Sequence, residues 1–257
     1  MKNISIKFHS TFLIMALGFV LTGYFVNLLI LLNIILVHEL GHYIICLIKK
    51  YPVKNLTIYP FGGLLKIEEF INRDIDDELL LATMGIIFQS LYFLIIHYLY
   101  MHAIVREYIY DIYKIYNYSI LVFNILPIYP LDGAKILNLL LSKKLSYKLS
   151  NNITIYISLI TLLIMMIIGT YKLNYTYILV LITLSINIYT FYKKREYLFY
   201  RFLLERYLYN ITYNDIKVIT KKEKMHKNTT HIIKTAQNYL PEAKFLKKLF
   251  DKAHNIW

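Results

Sequence analysis

The sequence predicts an α-helical integral membrane protein with six transmembrane helices, a membrane-associated β-hairpin loop and a small cytosolic C-terminal segment. Composition is the first reason, because 58% of the 257 residues are hydrophobic and the mean hydropathy is +0.47, which is unusually apolar for a soluble domain. Long apolar runs and an uneven distribution of basic residues are the second and third reasons. A large buried core is the alternative, but so many long apolar runs argue against it.

Five apolar runs supply the six predicted spans. They occupy residues 11–48, 79–105, 115–141, 152–171 and 175–192. The first run is far longer than the ~20 residues that one crossing needs. It is therefore predicted to cross twice and to turn near Thr22 and Gly23. The third run is predicted to be a single span, the fourth, interrupted by two prolines and by Gly133.

Basic residues place both termini in the cytosol. With six spans, the termini and the loops at 49–78 and 142–151 share one side, which carries ten Lys or Arg residues before the tail is counted, against three on the other side. Lys and Arg are enriched in cytoplasmic loops. Residues 193–257 add 15 Lys or Arg residues against six acidic ones. We therefore predict a multi-pass protein of the cell membrane, with a membrane domain at 1–192 and a basic cytosolic tail at 193–257.

The second predicted span contains three ionisable side chains within the sequence HELGH. On a helix, His38 and His42 lie one turn apart on the same face, so both imidazoles can bind one metal ion. Glu39 lies beside them, where it can deprotonate a water molecule. This is the HExxH arrangement of zinc metalloproteases. Ionisable groups at membrane depth are rare without a function, and two structural histidines bonded to backbone carbonyls are the alternative.

Asp132 is the candidate for a third ligand. A catalytic zinc ion is held by three protein ligands and keeps one position open, and Asp132 is a polar residue inside the broken fourth span. His38 precedes the basic cluster at Lys49 by 11 residues, and Asp132 precedes the cluster at Lys143 by 11. At ~1.5 Å per helical residue, both lie roughly 16 Å below the cytosolic basic residues. The match in depth favours one shared metal site.

The fourth span and the loop after HELGH are the predicted substrate-binding regions. A helix hides its carbonyls in internal hydrogen bonds, so a helical substrate must unwind before it is cut. Asn124, in the broken span, can bond to the backbone of a substrate or to an oxyanion. Residues 53–69 are predicted to form a hairpin whose turn contains Phe61 and Gly62, and whose edge can pair with an unwound substrate. A plain connecting loop is the alternative.

Three motifs resemble the site-2 family of intramembrane zinc metalloproteases, and in particular its sporulation branch. They are HELGH in the second span, PFGG in the loop that follows and NILPIYPLDG in the fourth span. The resemblance covers about residues 10–212. It implies one zinc ion per chain, with His38, His42 and Asp132 as the ligands and Glu39 as the general base.

The same resemblance implies a substrate, partners and a setting. Asn124 and Pro130 match the family's substrate-handling positions. The substrate would be a membrane-associated pro-sigma factor, cut near its N-terminal pro-sequence by regulated intramembrane proteolysis during sporulation. Inhibitory membrane partner proteins would hold the protease inactive, in the mother-cell membrane around the forespore. Nucleic acid is not a predicted partner.

Two segments depart from the family pattern. The third span has MGIIFQ, at residues 84–89, where the family has an Ala-Gly-Pro element, and it keeps only the glycine. Close relatives end in a nucleotide-sensing CBS domain, whereas residues 213–257 are short, basic and weakly similar to one. The tail is therefore predicted to be a linker helix followed by a truncated CBS-like region. ATP sensing and binding to a membrane surface or an acidic partner both remain open for it.

Two other classes of function are compatible with a buried metal site. One is a catalytically silent membrane binding protein that keeps the metal as a structural element, and the other is a metal-ion transporter. Transport requires further polar groups across the membrane, and the candidates, His97 and His102, lie toward the outer end of the third span. The motifs therefore favour a site-2-type metalloendopeptidase.

Overall fold

Helices dominate the computed structural model, which describes residues 5–59, 62–67, 70–169, 175–235 and 238–254. The strands are β1 (Ser5–Phe8), β2 (Val53–Tyr59), β3 (Gly62–Ile67), β4 (Ile216–Ile219), β5 (Thr230–Lys234) and β6 (Tyr239–Pro241). The helices are α1 (Ser10–Leu21), α2 (Phe25–Ile48), α3 (Ile75–Met101), α4 (Glu107–Ile125), α5 (Asp132–Ser142), α6 (Tyr147–Gly169), α7 (Tyr175–Tyr209) and α8 (Glu242–His254). The mostly helical architecture agrees with the predicted fold class.

The chain forms two compact units. The first contains Met1–Glu69, Leu80–Leu126 and Leu131–Gly133, and the second contains Phe70–Leu79, Pro127–Pro130 and Ala134–Trp257. Helix α7 belongs to the second unit, and Lys193, where the cytosolic tail is predicted to begin, lies inside this helix.

Helix α2 packs against α1, α4 and β3 within the first unit. Its buried residues recur at intervals of three and four along one face: Leu31, Ile34, Ile35, His38, Glu39, Gly41, His42, Ile45 and Cys46. Its remaining surface carries exposed leucines, among them Leu29, Leu36, Leu40 and Leu47. A helix with a buried face and an exposed apolar face is suited to contact protein on one side and lipid on the other. The ionisable residues of HELGH therefore lie on the protein-facing side of a membrane helix.

Two strands after α2 and one strand before α1 form a three-stranded sheet in the order β1-β2-β3. Strand β2 pairs antiparallel with β3, from Val53 opposite Ile67 to Tyr59 opposite Gly62. This pairing is the hairpin that the sequence predicts. Strand β1 pairs parallel with β2, with Ser5 opposite Asn55, and the sequence analysis did not predict it.

The second unit combines α6 and α7 with the three-stranded sheet β4-β5-β6 and helix α8. Its core consists of Tyr147, Phe199, Phe202, Leu203, Ile219, Met225, Ile233 and Leu246. Arg206, in the last turn of α7, is also buried in this unit and lies 2.7 Å from the Glu242 carboxylate. Strand β4 pairs parallel with β5, and β5 pairs antiparallel with β6.

Three helices in the described part of the chain are long and apolar enough to cross a membrane, namely α2, α3 and α6. Helix α1 is apolar but has only 12 residues. The break between α1 and α2 falls at Thr22 to Tyr24, and the predicted fourth span is divided between α4 and α5, as the sequence indicates. The count of six spans stays a prediction.

Candidate metal centre

Helix α2 places the three ionisable residues of HELGH together. His38, Glu39 and His42 are 2%, 3% and 5% exposed, and each can offer a ligand atom within 4.8 Å of the others. The i to i+4 spacing puts the two histidine rings one turn apart, with their centroids 4.9 Å from each other. The structure therefore has the local arrangement that the HExxH pattern predicts.

Asp132, the first residue of α5, completes the cluster. Its Oδ2 atom lies 2.9 Å from Nε2 of His38 and 3.0 Å from Nε2 of His42, and the two Nε2 atoms are 3.2 Å apart. Gly133 follows, and a Cβ atom there would overlap the main-chain carbonyl of Ile125. The close approach of the α5 start to the end of α4 therefore requires a glycine next to the aspartate.

Helix α3 contacts the other ring nitrogen of each histidine. Nδ1 of His38 lies 2.9 Å from Oε1 of Gln89, and Nδ1 of His42 lies 2.7 Å from the carbonyl oxygen of Leu81. Neither contact was predicted from the sequence. A polar side chain, Gln89, inside a predicted span was the available signal, because the depth argument used for Asp132 applies to it as well.

The residues present fit a zinc ion. Two imidazole nitrogens and one carboxylate oxygen converge within 3.2 Å, and a tetrahedral ion with bonds of ~2.0–2.1 Å separates its ligands by about 3.3 Å. Beside them, Gly85 of α3 lets both imidazoles pack closely against this helix, since a Cβ atom on it would lie 2.7 Å from Nε2 of His38 and closer still to His42. Two histidines and one carboxylate match the three-ligand donor set of catalytic zinc sites.

Glu39 lies next to this cluster with an unsatisfied oxygen. Its Oε2 atom is buried and has no hydrogen-bond partner among the described residues. Gly63 of β3 packs so closely on the Glu39 side chain that a Cβ atom at residue 63 would overlap it. The hairpin therefore lies directly against the glutamate, and the small size of Gly63 makes this contact sterically feasible. Gly63 was not among the predicted site residues.

The predicted substrate-binding residues are placed as follows. Asn124 lies in the last turn of α4, 6% exposed, and its buried Nδ2 atom has no hydrogen-bond partner among the described residues. A Cβ atom on Gly62 would be 3.9 Å from Oδ1 of Asn124, so these two residues are neighbours. Phe61 lies outside the described residues. Pro130 lies between α4 and α5, in the second compact unit.

Comparisons with known proteins relate this arrangement to one family. The sequence profile of peptidase family M50 matches residues 26–107 and 101–168. Stage IV sporulation protein FB of Bacillus subtilis is 33% identical over 198 residues, which are 76% of this chain and 68% of that protein. A zinc metalloprotease of Methanocaldococcus jannaschii is 29% identical over 69% of this chain and 55% of that protein.

A solved structure is also similar. The site-2 protease from Methanocaldococcus jannaschii superimposes with a TM-score of 0.58 over 74% of this chain and 91% of that protein. The two sequences are 23% identical over this match, so the superposition bears on the fold.

Proposed function

This chain belongs to peptidase family M50 and is a site-2-type metalloendopeptidase of the membrane, and we propose that it cuts a membrane-associated protein with Glu39 as general base. We assign His38, His42 and Asp132 as the ligands of one zinc ion. One observation supports this assignment above all. Two imidazole nitrogens and a carboxylate oxygen meet within 3.2 Å beside a buried, unpaired oxygen of Glu39.

The chemistry divides between the metal and the protein. When bound, the zinc ion supplies Lewis-acid chemistry, polarising the scissile carbonyl and making a water molecule more acidic. Glu39 takes the proton from the attacking water and returns it to the leaving amine. Its unpaired Oε2 atom is suited to that role, because its lone pairs are not used by a structural hydrogen bond.

The substrate is proposed to bind in an extended form between β3 and Asn124. Strand β3 is an edge of the sheet β1-β2-β3, and its residue Gly63 packs on Glu39. A chain that pairs with this edge would hold its backbone near the general base. The unpaired Nδ2 of Asn124 can then donate to a substrate carbonyl. Phe61, Gly62 and Pro130 remain proposed contact residues.

A pro-sigma factor is the proposed substrate, with sporulation as the setting. The support is the 33% identity with stage IV sporulation protein FB, which is a sporulation protein by name. Cleavage near the N-terminal pro-sequence, control by inhibitory membrane partners and location in the mother-cell membrane belong to the same proposal. Both termini are proposed to lie in the cytosol.

ATP sensing by the tail has one observation in its favour. An open surface cavity of about 590 Å³ in the second unit is lined by Lys144, Lys217, Lys224, His226 and Ser146 together with apolar side chains. A cavity of this size with several cationic groups suits a nucleotide with its phosphates. Binding of a fluorescent ATP analogue to the detergent-purified chain, and its loss in a Lys217→Ala, Lys224→Ala variant, would test this proposal.

Two contacts bear on the transporter alternative. Nδ1 of His97 lies 2.8 Å from the hydroxyl of Tyr110, and Nδ1 of His102 lies 2.9 Å from the carbonyl oxygen of Tyr98. Each ring thus has a local partner, which is the arrangement of structural histidines rather than of a metal pathway.

Co-expression with a tagged pro-sigma factor tests the proposed function. Glu39→Gln should lower processing by roughly 10²- to 10⁴-fold, because it removes the general base, while zinc content stays near that of the wild type. Asp111→Asn makes the same chemical change at an exposed position of α4 and should leave processing unchanged. Normal processing by the Glu39→Gln variant would exclude Glu39 as the base. Flux of zinc into liposomes that contain the purified protein, without cleavage of the pro-sigma factor, would support transport instead.

A further inference from the structure

Gln89 of α3 links the candidate metal centre to helix α4. Its side chain is fully buried, and its Oε1 atom lies 2.9 Å from Nδ1 of His38. Its Nε2 atom lies 2.9 Å from the carbonyl oxygen of Asn117 and 3.2 Å from Oδ1 of the same residue. Asn117 is itself 1% exposed. A continuous hydrogen-bonded chain therefore runs from α4 through α3 to a histidine on α2.

The direction of these hydrogen bonds follows from what each group can donate. The main-chain carbonyl of Asn117 can only accept, so the amide nitrogen of Gln89 must face it. The amide oxygen of Gln89 then faces His38 and can only accept as well. Nδ1 of His38 must therefore carry the hydrogen. In neutral imidazole this leaves Nε2 as a bare lone pair, directed at the Asp132 carboxylate and His42.

We propose that Gln89, held in place by Asn117, is a positioning residue that fixes the tautomer and ring orientation of His38 for metal binding. This inference rests on the proposed function, because it assumes that His38 binds zinc. Partners of this kind usually change metal affinity by about 10- to 100-fold when they are lost.

The two histidines differ in whether the hydrogen-bond partner of Nδ1 is a main-chain or a side-chain atom. His42 bonds to the main-chain carbonyl of Leu81, which no substitution at that position removes. His38 bonds to a side chain, so substitution of Gln89 removes the hydrogen-bond acceptor of His38 and leaves that of His42 in place. The expected defect is therefore partial: weaker zinc binding rather than an empty site.

Zinc affinity, measured by competition with a chelator on the detergent-purified full chain, tests the proposal without relying on proteolysis. Gln89→Leu should bind zinc about 10- to 100-fold more weakly, since its side chain offers no acceptor to His38. Gln89→Glu keeps a side-chain oxygen that can accept from Nδ1 of His38, so its affinity should stay within a few-fold of the wild type. Ser90→Ala, which removes only a hydroxyl bonded to the Ile86 carbonyl of its own helix, is the matched control.

A spectrum of the cobalt-substituted chain adds a readout of ligand geometry. Gln89→Leu should alter the cobalt absorption bands, and Ser90→Ala should leave them unchanged. Wild-type zinc affinity in Gln89→Leu would overturn the proposal, and so would equal losses in Gln89→Leu and Gln89→Glu, which would indicate a packing role. Failure of the wild-type chain to bind zinc at all would instead overturn the proposed function.

Discussion

The protein buries two clusters of polar side chains that both contain histidine and a carboxylate, and they differ in how their charges are matched. The metal cluster consists of His38, Glu39, His42 and Asp132. The arginine cluster consists of Asn72, Glu205, Arg206, His231 and Glu242 in the second unit. In the arginine cluster, the guanidinium of Arg206 faces the carboxylate of Glu242. In the metal cluster, a carboxylate oxygen of Asp132 and the Nε2 atoms of both histidines lie close together. One carboxylate oxygen of Glu39 has no hydrogen-bond partner among the described residues.

The hydrogen bonds of Arg206 illustrate a closed arrangement. Its guanidinium donates to Oε1 of Glu242 at 2.7 Å, to the Thr229 carbonyl at 2.8 Å, to the His226 carbonyl at 2.9 Å and to Oδ1 of Asn72 at 3.0 Å. The second oxygen of Glu242 accepts from the main-chain N–H of His231 at 2.7 Å. In such a cluster, hydrogen bonds and ion pairs with groups of the protein itself offset the free-energy cost of burying the charges.

The contrast teaches that burial of charge alone does not identify a functional site. Buried ions are tolerated when they are paired and hydrogen-bonded or when they coordinate a metal. The arginine cluster meets the first condition with its own residues. The metal cluster meets the second condition only with a cation that the chain itself does not provide, and this difference distinguishes a binding site from a structural ion pair.

The largest expected effect comes from removing Asp132, the proposed anionic ligand of the metal cluster. Asp132→Asn should abolish both zinc binding and substrate processing, because the two imidazoles lose the negative charge that helps to neutralise the ion. Zinc content by atomic absorption and processing in the co-expression assay are the two measurements. Full zinc content in this variant would show that Asp132 is not a zinc ligand. It would also weaken the contrast between the two clusters.

Breaking the arginine cluster should affect stability and leave the chemistry intact. Arg206→Met leaves Glu242 buried without its main partner and should destabilise the second unit by about 3–5 kcal/mol. Limited proteolysis and thermal unfolding of the second unit provide the measurement. Arg201→Met removes a partly exposed partner of Glu205 and should cost less than about 1 kcal/mol. Equal losses of stability in the two variants would contradict the conclusion that the buried Arg206 contributes more than the partly exposed Arg201.

Gly85 tests the close packing of α3 against the two imidazoles. Gly85→Ala puts a methyl group against His38 and His42 and should weaken zinc binding by about 100-fold, because small displacements of ligands have large effects. Gly18→Ala, at a helical glycine with nothing within 4 Å, is the control and should bind zinc normally. Unchanged affinity in Gly85→Ala would show that the close packing of α3 on the imidazoles does not influence zinc binding.

The smallest effect is the response of the arginine cluster to acid. Burial alone would raise the pKa of Glu242, but the hydrogen bond with His231 and the charge of Arg206 together lower the pKa below its usual 4.5. A carboxyl group with a lowered pKa in the folded state stabilises the protein above its unfolded pKa and loses that contribution as the pH falls. The second unit should therefore lose stability below about pH 4.5. Hydrogen exchange of β5 and α8 measures this, and the loss should be smaller in Glu242→Gln.

Sequence reasoning identified the members of the metal cluster but not the α3 residues that contact them. HELGH is a local pattern, and the equal depths of His38 and Asp132 follow from counting along helices, so both are accessible without a structure. The contribution of Gly85 and Gln89 depends on how α3 crosses α2, which no local pattern encodes. Strand β1 was missed for a similar reason, since four residues at the N-terminus pair with a strand about 50 positions later.

The arginine cluster was missed because its charges are distant in sequence. Arg206 and Glu242 are 36 positions apart, and each lies in a segment whose basic composition predicts a solvated surface. Their pairing depends on the packing of α8 and the sheet β4-β5-β6 against α7, which is a tertiary property. Charge counts along the chain give the net charge of the tail but not which of its charges are buried.

Helix α3 supplies none of the proposed ligands, yet it presents Leu81, Gly85 and Gln89 at four-residue intervals along one face. In order along the helix, these positions provide a main-chain acceptor, a residue without a side chain that packs against both rings, and a side-chain acceptor. An HExxH helix transferred to another membrane protein would therefore lack half of what this site uses. A designer who wishes to build such a site in a helical bundle must specify the neighbouring helix in the same register, because that helix bonds to both imidazoles and must have no side chain where the two rings pack against it.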